Sequence, residues 1–216
     1  MPVRLGSLLL ILSIAIALWQ WLRTPAPRSR FFQVFGALIM AALATEIYGG
    51  LTNVRWINNN PVYNLFGFME TLLILWMATI LRPAWKRLAL VLGVGITLVY
   101  IADLIYLKFE PYLLIEAIIL NSVMQSVVCM MVLWWLAQAS EVPLVRVPAF
   151  WIFLGFLIYF AGILPLIGTH GAIDLLDRSV ASKLYPIIQG ACILRYLLAA
   201  YACSLVRGAA AHTDHG

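Results

Sequence analysis

Charge is scarce in this chain. Asp, Glu, Lys and Arg make up 11% of its 216 residues, whereas soluble domains carry about 25%. So few charged groups cannot clothe a water-soluble fold, which excludes a soluble catalytic domain. Histidine is rarer still, and none of the three, His170, His212 and His215, falls inside an apolar run. A zinc-dependent membrane hydrolase needs converging His and Asp ligands, so no metal site is expected, and His212-Thr-Asp-His215 reads as solvated tail. The three cysteines, Cys129, Cys192 and Cys203, all lie within apolar runs and offer neither a loop pair for a disulfide nor a metal-binding spacing. Gly-x-Ser-x-Gly is missing, and Ser13 and Ser122 have no histidine near them in the apolar runs, so a serine nucleophile has no support. Pro-Gln occurs nowhere, which sets aside the small carriers whose three-helix repeats bear that pair. A retinal protein needs a lysine in the middle of its last helix for the Schiff base, and Arg195 stands there instead. No cofactor is expected.

What is abundant is apolar length. Hydrophobic residues make up 64% of the chain, about 138 positions, and a bilayer-spanning helix takes about 20, so the composition holds roughly seven spans and little else. Seven runs can be read, at about 6–22, 31–51, 62–81, 87–107, 112–138, 149–168 and 181–206. The expected fold is all-α: a polytopic membrane protein with one transmembrane domain over residues 1–216, a seven-helix bundle. The first run resembles a signal peptide, but Trp19-Gln20-Trp21 and Arg23 close it where small residues would offer a cleavage site, so it is read as a retained helix. Thr24-Pro25-Ala26-Pro27, Arg82-Pro83 and Val147-Pro148 mark helix boundaries. Gly162-Ile-Leu-Pro165 is expected to bend the sixth helix, and the connector from Gly168 to Ser182 reads as a surface turn built on Ile173, Leu175 and Leu176.

Orientation follows from the basic residues in the short loops. Eight of them, Arg23, Arg28, Arg30, Arg82, Lys86, Arg87, Arg146 and Arg207, fall on one side. Arg4, Arg55, Lys108, Arg178 and Lys183, five in number, fall on the other. The richer side should be cytoplasmic, with the N-terminus outside and the C-terminus inside, as in an integral protein of a bacterial cytoplasmic (inner) membrane. The net charge of +5 is accounted for by this bias, and no nucleic-acid partner is expected. Membrane lipids are.

Five of the 23 charged residues lie within the runs: Glu46, Glu70, Asp103, Glu116 and Arg195. Each costs about 2.5–3.5 kcal/mol at mid-helix on insertion scales, so such residues usually face a bundle interior. Glu46, Asp103 and Glu116 approach the outer face. Glu70 is roughly 13 Å along the third helix, and Arg195 roughly 20 Å along the seventh, at about 1.5 Å per residue. Those depths place the two within reach of each other. Tyr63, Gly67 and Glu70 share one helical face, with Asn64 beside it. Asn121, Gln125 and Cys129 make a stripe on the fifth helix, and Tyr185 and Gln189 recur at the same spacing on the seventh. The pairs Ala37 with Ala41, Gly155 with Gly162, and Ala191 with Ala199 mark expected close helix contacts.

Four carboxylates in the outer half suggest an outward-facing acidic, polar cavity. The reading that needs least beyond this inventory is a small-ligand-binding or sensing module, or an accessory subunit of another membrane protein, taking a small cationic or polar ligand. The expected ligand-binding or coupling residues are Glu70, Arg195, Glu46, Asp103, Glu116, Tyr63, Asn64, Asn121, Gln125 and Gln189, with no catalytic residue assigned. A proton-coupled small-molecule transporter and an intramembrane lipid-modifying enzyme are the alternatives.

Overall fold

The computed structural model of the protein describes residues 2–54, 58–110, 113–168 and 178–213. Every regular element among them is helical: α1 (Pro2–Leu22), α2 (Arg30–Val54), α3 (Asn60–Leu81), α4 (Lys86–Tyr106), α5 (Ile115–Ala139), α6 (Pro148–Gly168) and α7 (Arg178–Thr213). Six of the seven are long and apolar enough to cross a bilayer, the pattern of an integral membrane protein. In α6 the described apolar stretch is Pro148–Leu164, 17 residues.

The boundaries follow local chemistry. α1 stops before the Pro25/Pro27 pair, and Arg28 closes it by donating from Nη2 to the Leu22 carbonyl (2.8 Å) and from Nε to Thr24 Oγ1 (2.9 Å). Ser29 then opens α2, its hydroxyl accepting from Phe32 N–H as an N-cap does. α4 ends with Lys108 and Phe109 at φ 52° and 60°, where Phe109 N–H reaches back to the Leu104 carbonyl (3.0 Å) and Lys108 N–H to Ile105 (2.9 Å). This is the Schellman arrangement, which usually employs glycine. α5 begins at Ile115, later than the sequence pattern suggests, and Leu113 and Leu114 lie outside the helix. α6 runs on as helix through Pro165, and α7 through Pro186. The surface turn expected after Gly168 falls on residues 169–177, outside the described ones.

Helix contacts run α1–α2, α2–α3, α3–α5, α5–α6, α6–α7 and α7–α1, and α4 packs on both α3 and α5. Six helices therefore close into a ring, and α4 lies outside it on the α3/α5 seam. One half of the ring is solid: Leu38, Ile74, Val132, Phe153 and Ala202 have no exposed surface and belong to a core drawn from α1, α2, α3, α5, α6 and α7. A small separate cluster of Ile96, Tyr100, Leu114 and Ala117 ties α4 to α5. α1 is integral to the ring, with Ile14 and Ala17 fully buried.

Small residues set the closest approaches. At Gly155 an added Cβ would stand 3.1 Å from the Arg195 carbonyl oxygen and 3.3 Å from its Cα, so α6 and α7 meet there backbone to backbone. At Gly162 it would stand 4.0 Å from Ala191 Cβ, an ordinary contact. Ala37 corrects the sequence reading, since it is exposed. Its neighbour Gly36 carries the contact instead, where any side chain would collide with the Trp21 ring.

Candidate functional site

The half of the ring beyond the solid core is hollow. A cavity of about 510 Å³ lies there, and every helix contributes to its wall. Its rim is formed by Ser7 of α1, Gly49 and Gly50 of α2, and Asn59 and Asn60 at the start of α3; its floor carries Glu70, Asn121, Tyr159, Arg195 and Tyr196.

The floor is organised by one ion pair. Arg195 Nη1 donates to Glu70 Oε1 over 2.7 Å, with both side chains 4% exposed. In ring order α3 and α7 are diametrically opposed, so this pair spans the lumen rather than stapling neighbours. Gly155 is what lets α7 sit close enough to α6 for this geometry, and the aromatic residues that result complete the arginine's surroundings. Its guanidinium carbon lies 4.3 Å from the Tyr159 ring centroid, 4.5 Å from Tyr196 and 5.6 Å from Phe156, and Nη2 donates to the Tyr196 hydroxyl. Cation–π contact of this kind strengthens where water is excluded. Arg195 Nε has no partner among the described residues.

Glu46 lies higher on the wall. The Tyr63 hydroxyl points at its Oε2 from 3.5 Å, a long contact, and Gly49 leaves the space that hydroxyl needs. No basic group stands within ion-pair distance of Glu46 among the described residues. With Glu70 matched by Arg195, Glu46 gives the described lining of the cavity an excess of one negative charge when ionised. Asn121 faces the cavity and accepts from Thr71 Oγ1 (2.7 Å), while Gln125, one turn deeper and fully buried, donates from Nε2 to the Thr71 carbonyl (3.3 Å). Gln189 is on the α7 wall, and its side chain packs over Gly6.

Of the residues expected to form the site, the structure brings Glu46, Tyr63, Glu70, Asn121, Gln189 and Arg195 to one cavity. Gln125 lies below it. Asp103, Asn64 and Glu116 gather elsewhere, at the start of α5. Asp103 Oδ2 accepts from the Ala117 amide (3.1 Å) and Asn64 Oδ1 from the Leu114 amide (3.2 Å). Two side chains from α3 and α4 thus satisfy amides that the first turn of α5 leaves open, while Glu116 in that turn is exposed. The described part of α7 does not include the Tyr185 side chain.

Sequence reasoning missed Thr71, Tyr100, Tyr159 and Tyr196. A signal existed for one of them: Tyr100 is two turns inside an apolar helix, too deep for headgroup contact. Its hydroxyl has no partner among the described residues and hangs over Gly67, 3.2 Å from where a Cβ would be. Chemically the cavity offers a carboxylate near its rim and two unused buried donors on its walls. Among the described residues no group of His, Cys, Asp and Glu is arranged to hold a metal. Comparison with protein-family models, with curated proteins and with solved structures returns no match.

Proposed function

We propose that this chain is a seven-span membrane protein with its N-terminus outside and its C-terminus in the cytoplasm. In this reading the cavity opens outward, and the protein is a sensing module or accessory subunit that binds a small cationic or zwitterionic molecule. The observation that carries the reading is the mismatch inside the cavity: among the described residues Glu46 has no ion-pair partner, while Arg195 Nε and the Tyr100 hydroxyl have no acceptor. Unsatisfied buried polar groups cost about 1–3 kcal/mol each, and a ligand bearing both an ammonium and an acceptor would recover that cost. The excess of Lys and Arg in loops at the opposite face supports the orientation, and that bias is the one found in bacterial inner membranes. The volume lies within the roughly 300–1,000 Å³ usual for small-molecule sites.

The test is a thermal-shift and calorimetric screen of the full-length protein in detergent against small amines, zwitterions and anions. Amines or zwitterions should stabilise it and anions should not. Glu46→Gln should abolish the shift without lowering the melting temperature of the unliganded protein. A shift that persists in Glu46→Gln would refute the assignment.

A further inference from the structure

Tyr100 is a wall shared by two compartments. It is the sole α4 residue on the cavity, which it reaches through the α3/α5 seam from a helix outside the ring. On its other side it lines an apolar groove of about 430 Å³ between α3 and α4, with Leu65, Phe68, Ile101 and Leu104. At Thr97 that groove meets a second of about 530 Å³, which continues past Leu72 and Trp76 to Lys86. The two make a trough along the bilayer-facing side of α3, open where Leu65, Leu98 and Ile101 are exposed. The partition is a single ring, packed in the small α4–α5 cluster with Ile96, Leu114 and Ala117. Phe68 packs on the Tyr100 ring at 5.4 Å, the hydroxyl is unpartnered although the residue is only 7% exposed, and beneath it Gly67 offers no side chain.

We propose that the cavity is reached sideways from the bilayer past Tyr100, and that its ligand is a zwitterionic phospholipid bearing a primary ammonium, of the phosphatidylethanolamine class. This rests on the ligand-binding reading above and names the ligand. The acyl chains stay in the trough, whose lining is mainly apolar, with Asn64, Thr79, Lys86, Thr97 and Glu110 as its polar members. The headgroup passes into the cavity, where its phosphate oxygens accept from Arg195 Nε and the Tyr100 hydroxyl, and its ammonium donates to Glu46. Charge selects the class: the cavity's negative excess opposes a net anionic headgroup, and a quaternary ammonium has no N–H to give the carboxylate. The Tyr100 hydroxyl and the Arg195 Nε–H are then no longer orphans but the two ends of a phosphate clamp.

The experiment uses the full-length protein reconstituted in phosphatidylcholine vesicles containing equal minor fractions of phosphatidylethanolamine and phosphatidylglycerol. Lipid that stays bound on extraction is read by native mass spectrometry, and binding of free phosphoethanolamine is read by calorimetry. Phosphatidylethanolamine should be retained over phosphatidylglycerol by about tenfold, an interaction difference near 1.4 kcal/mol. Leu98→Trp and Ile101→Trp, which fill the trough from its exposed side, should remove that preference while leaving melting temperature and phosphoethanolamine binding unchanged. Tyr100→Phe, which keeps the partition but loses the hydroxyl, should weaken both. Phosphoethanolamine binding without any lipid preference would overturn the lateral route and leave the ligand-binding reading standing. Binding of neither would overturn both.

Discussion

Arg195 of α7 and Glu70 of α3 meet at 2.7 Å across the lumen of the ring, joining two helices that are diametrically opposed in it. A pair in this position fixes the width of the lumen. It also removes two charges that would each be expensive in hydrocarbon.

Breaking the pair from one side leaves a buried charge uncompensated, a loss of about 3–5 kcal/mol. Glu70→Gln and Arg195→Gln should therefore each lower the melting temperature of the detergent-solubilised protein sharply. The double variant should be less affected than the sum of the two. Additive losses would show that the residues act independently.

Arg195→Lys should behave as a loss rather than a conservative change. An ammonium cannot serve Glu70 and the Tyr196 hydroxyl from two nitrogens while stacking on Tyr159. Melting temperatures of Arg195→Lys and Arg195→Gln within a few degrees of each other would verify this.

Gly155 and Gly162 lie on the same face of α6 but should respond differently to alanine. At Gly155 the new methyl meets the α7 backbone at 3.1 Å, which must move, with an overpacking cost of about 1–3 kcal/mol. At Gly162 the nearest atom is 4.0 Å away, and Gly162→Ala should be neutral or mildly stabilising through its higher helix propensity. Thermal unfolding of the two variants side by side measures the contrast.

Asp103 holds the start of α5, so Asp103→Ala should cost about 1 kcal/mol, as the loss of a cap does. Hydrogen exchange should quicken at the amides of Ala117 and its neighbours. Ligand-induced stabilisation should be unchanged, in contrast with Glu46→Gln.

Lys108 occupies the left-handed region at φ 52°, which costs an L-residue about 1–2 kcal/mol. Lys108→Gly should relieve part of that and raise the melting temperature by a few degrees. A fall would mean that the side chain contributes a contact outweighing the backbone strain.

The helices were legible because hydropathy and proline placement act locally, and their ends come out within a few residues except at the end of α7, which runs on to Thr213. Rise per residue was enough to bring Glu70 and Arg195 to the same depth, since depth is a one-dimensional quantity. Which residues share a compartment is not. Asp103 misses the cavity because α4 sits outside the ring, and Glu116 because it is on the exposed face of α5; no periodicity in a uniformly apolar helix says so. The same displacement hid Tyr100, whose importance comes from the seam it crosses. Thr71 was overlooked beside Glu70 because a threonine bonded within its own helix leaves no mark in the pattern. Gly36 was passed over for Ala37 because a helical face shifts by about 100° between adjacent residues.

The division of the ring into a hollow half and a solid half has an electrical consequence. In a polarised membrane the field falls chiefly across the part that water does not enter, here the layer containing Leu38, Ile74, Val132 and Phe153. Under the ligand-binding proposal a cation settling on Glu46 would traverse little of the voltage, and its affinity should be nearly flat with membrane potential. Carrying one charge on through the solid layer would meet almost all of the field, about 2.3 kcal/mol per 100 mV.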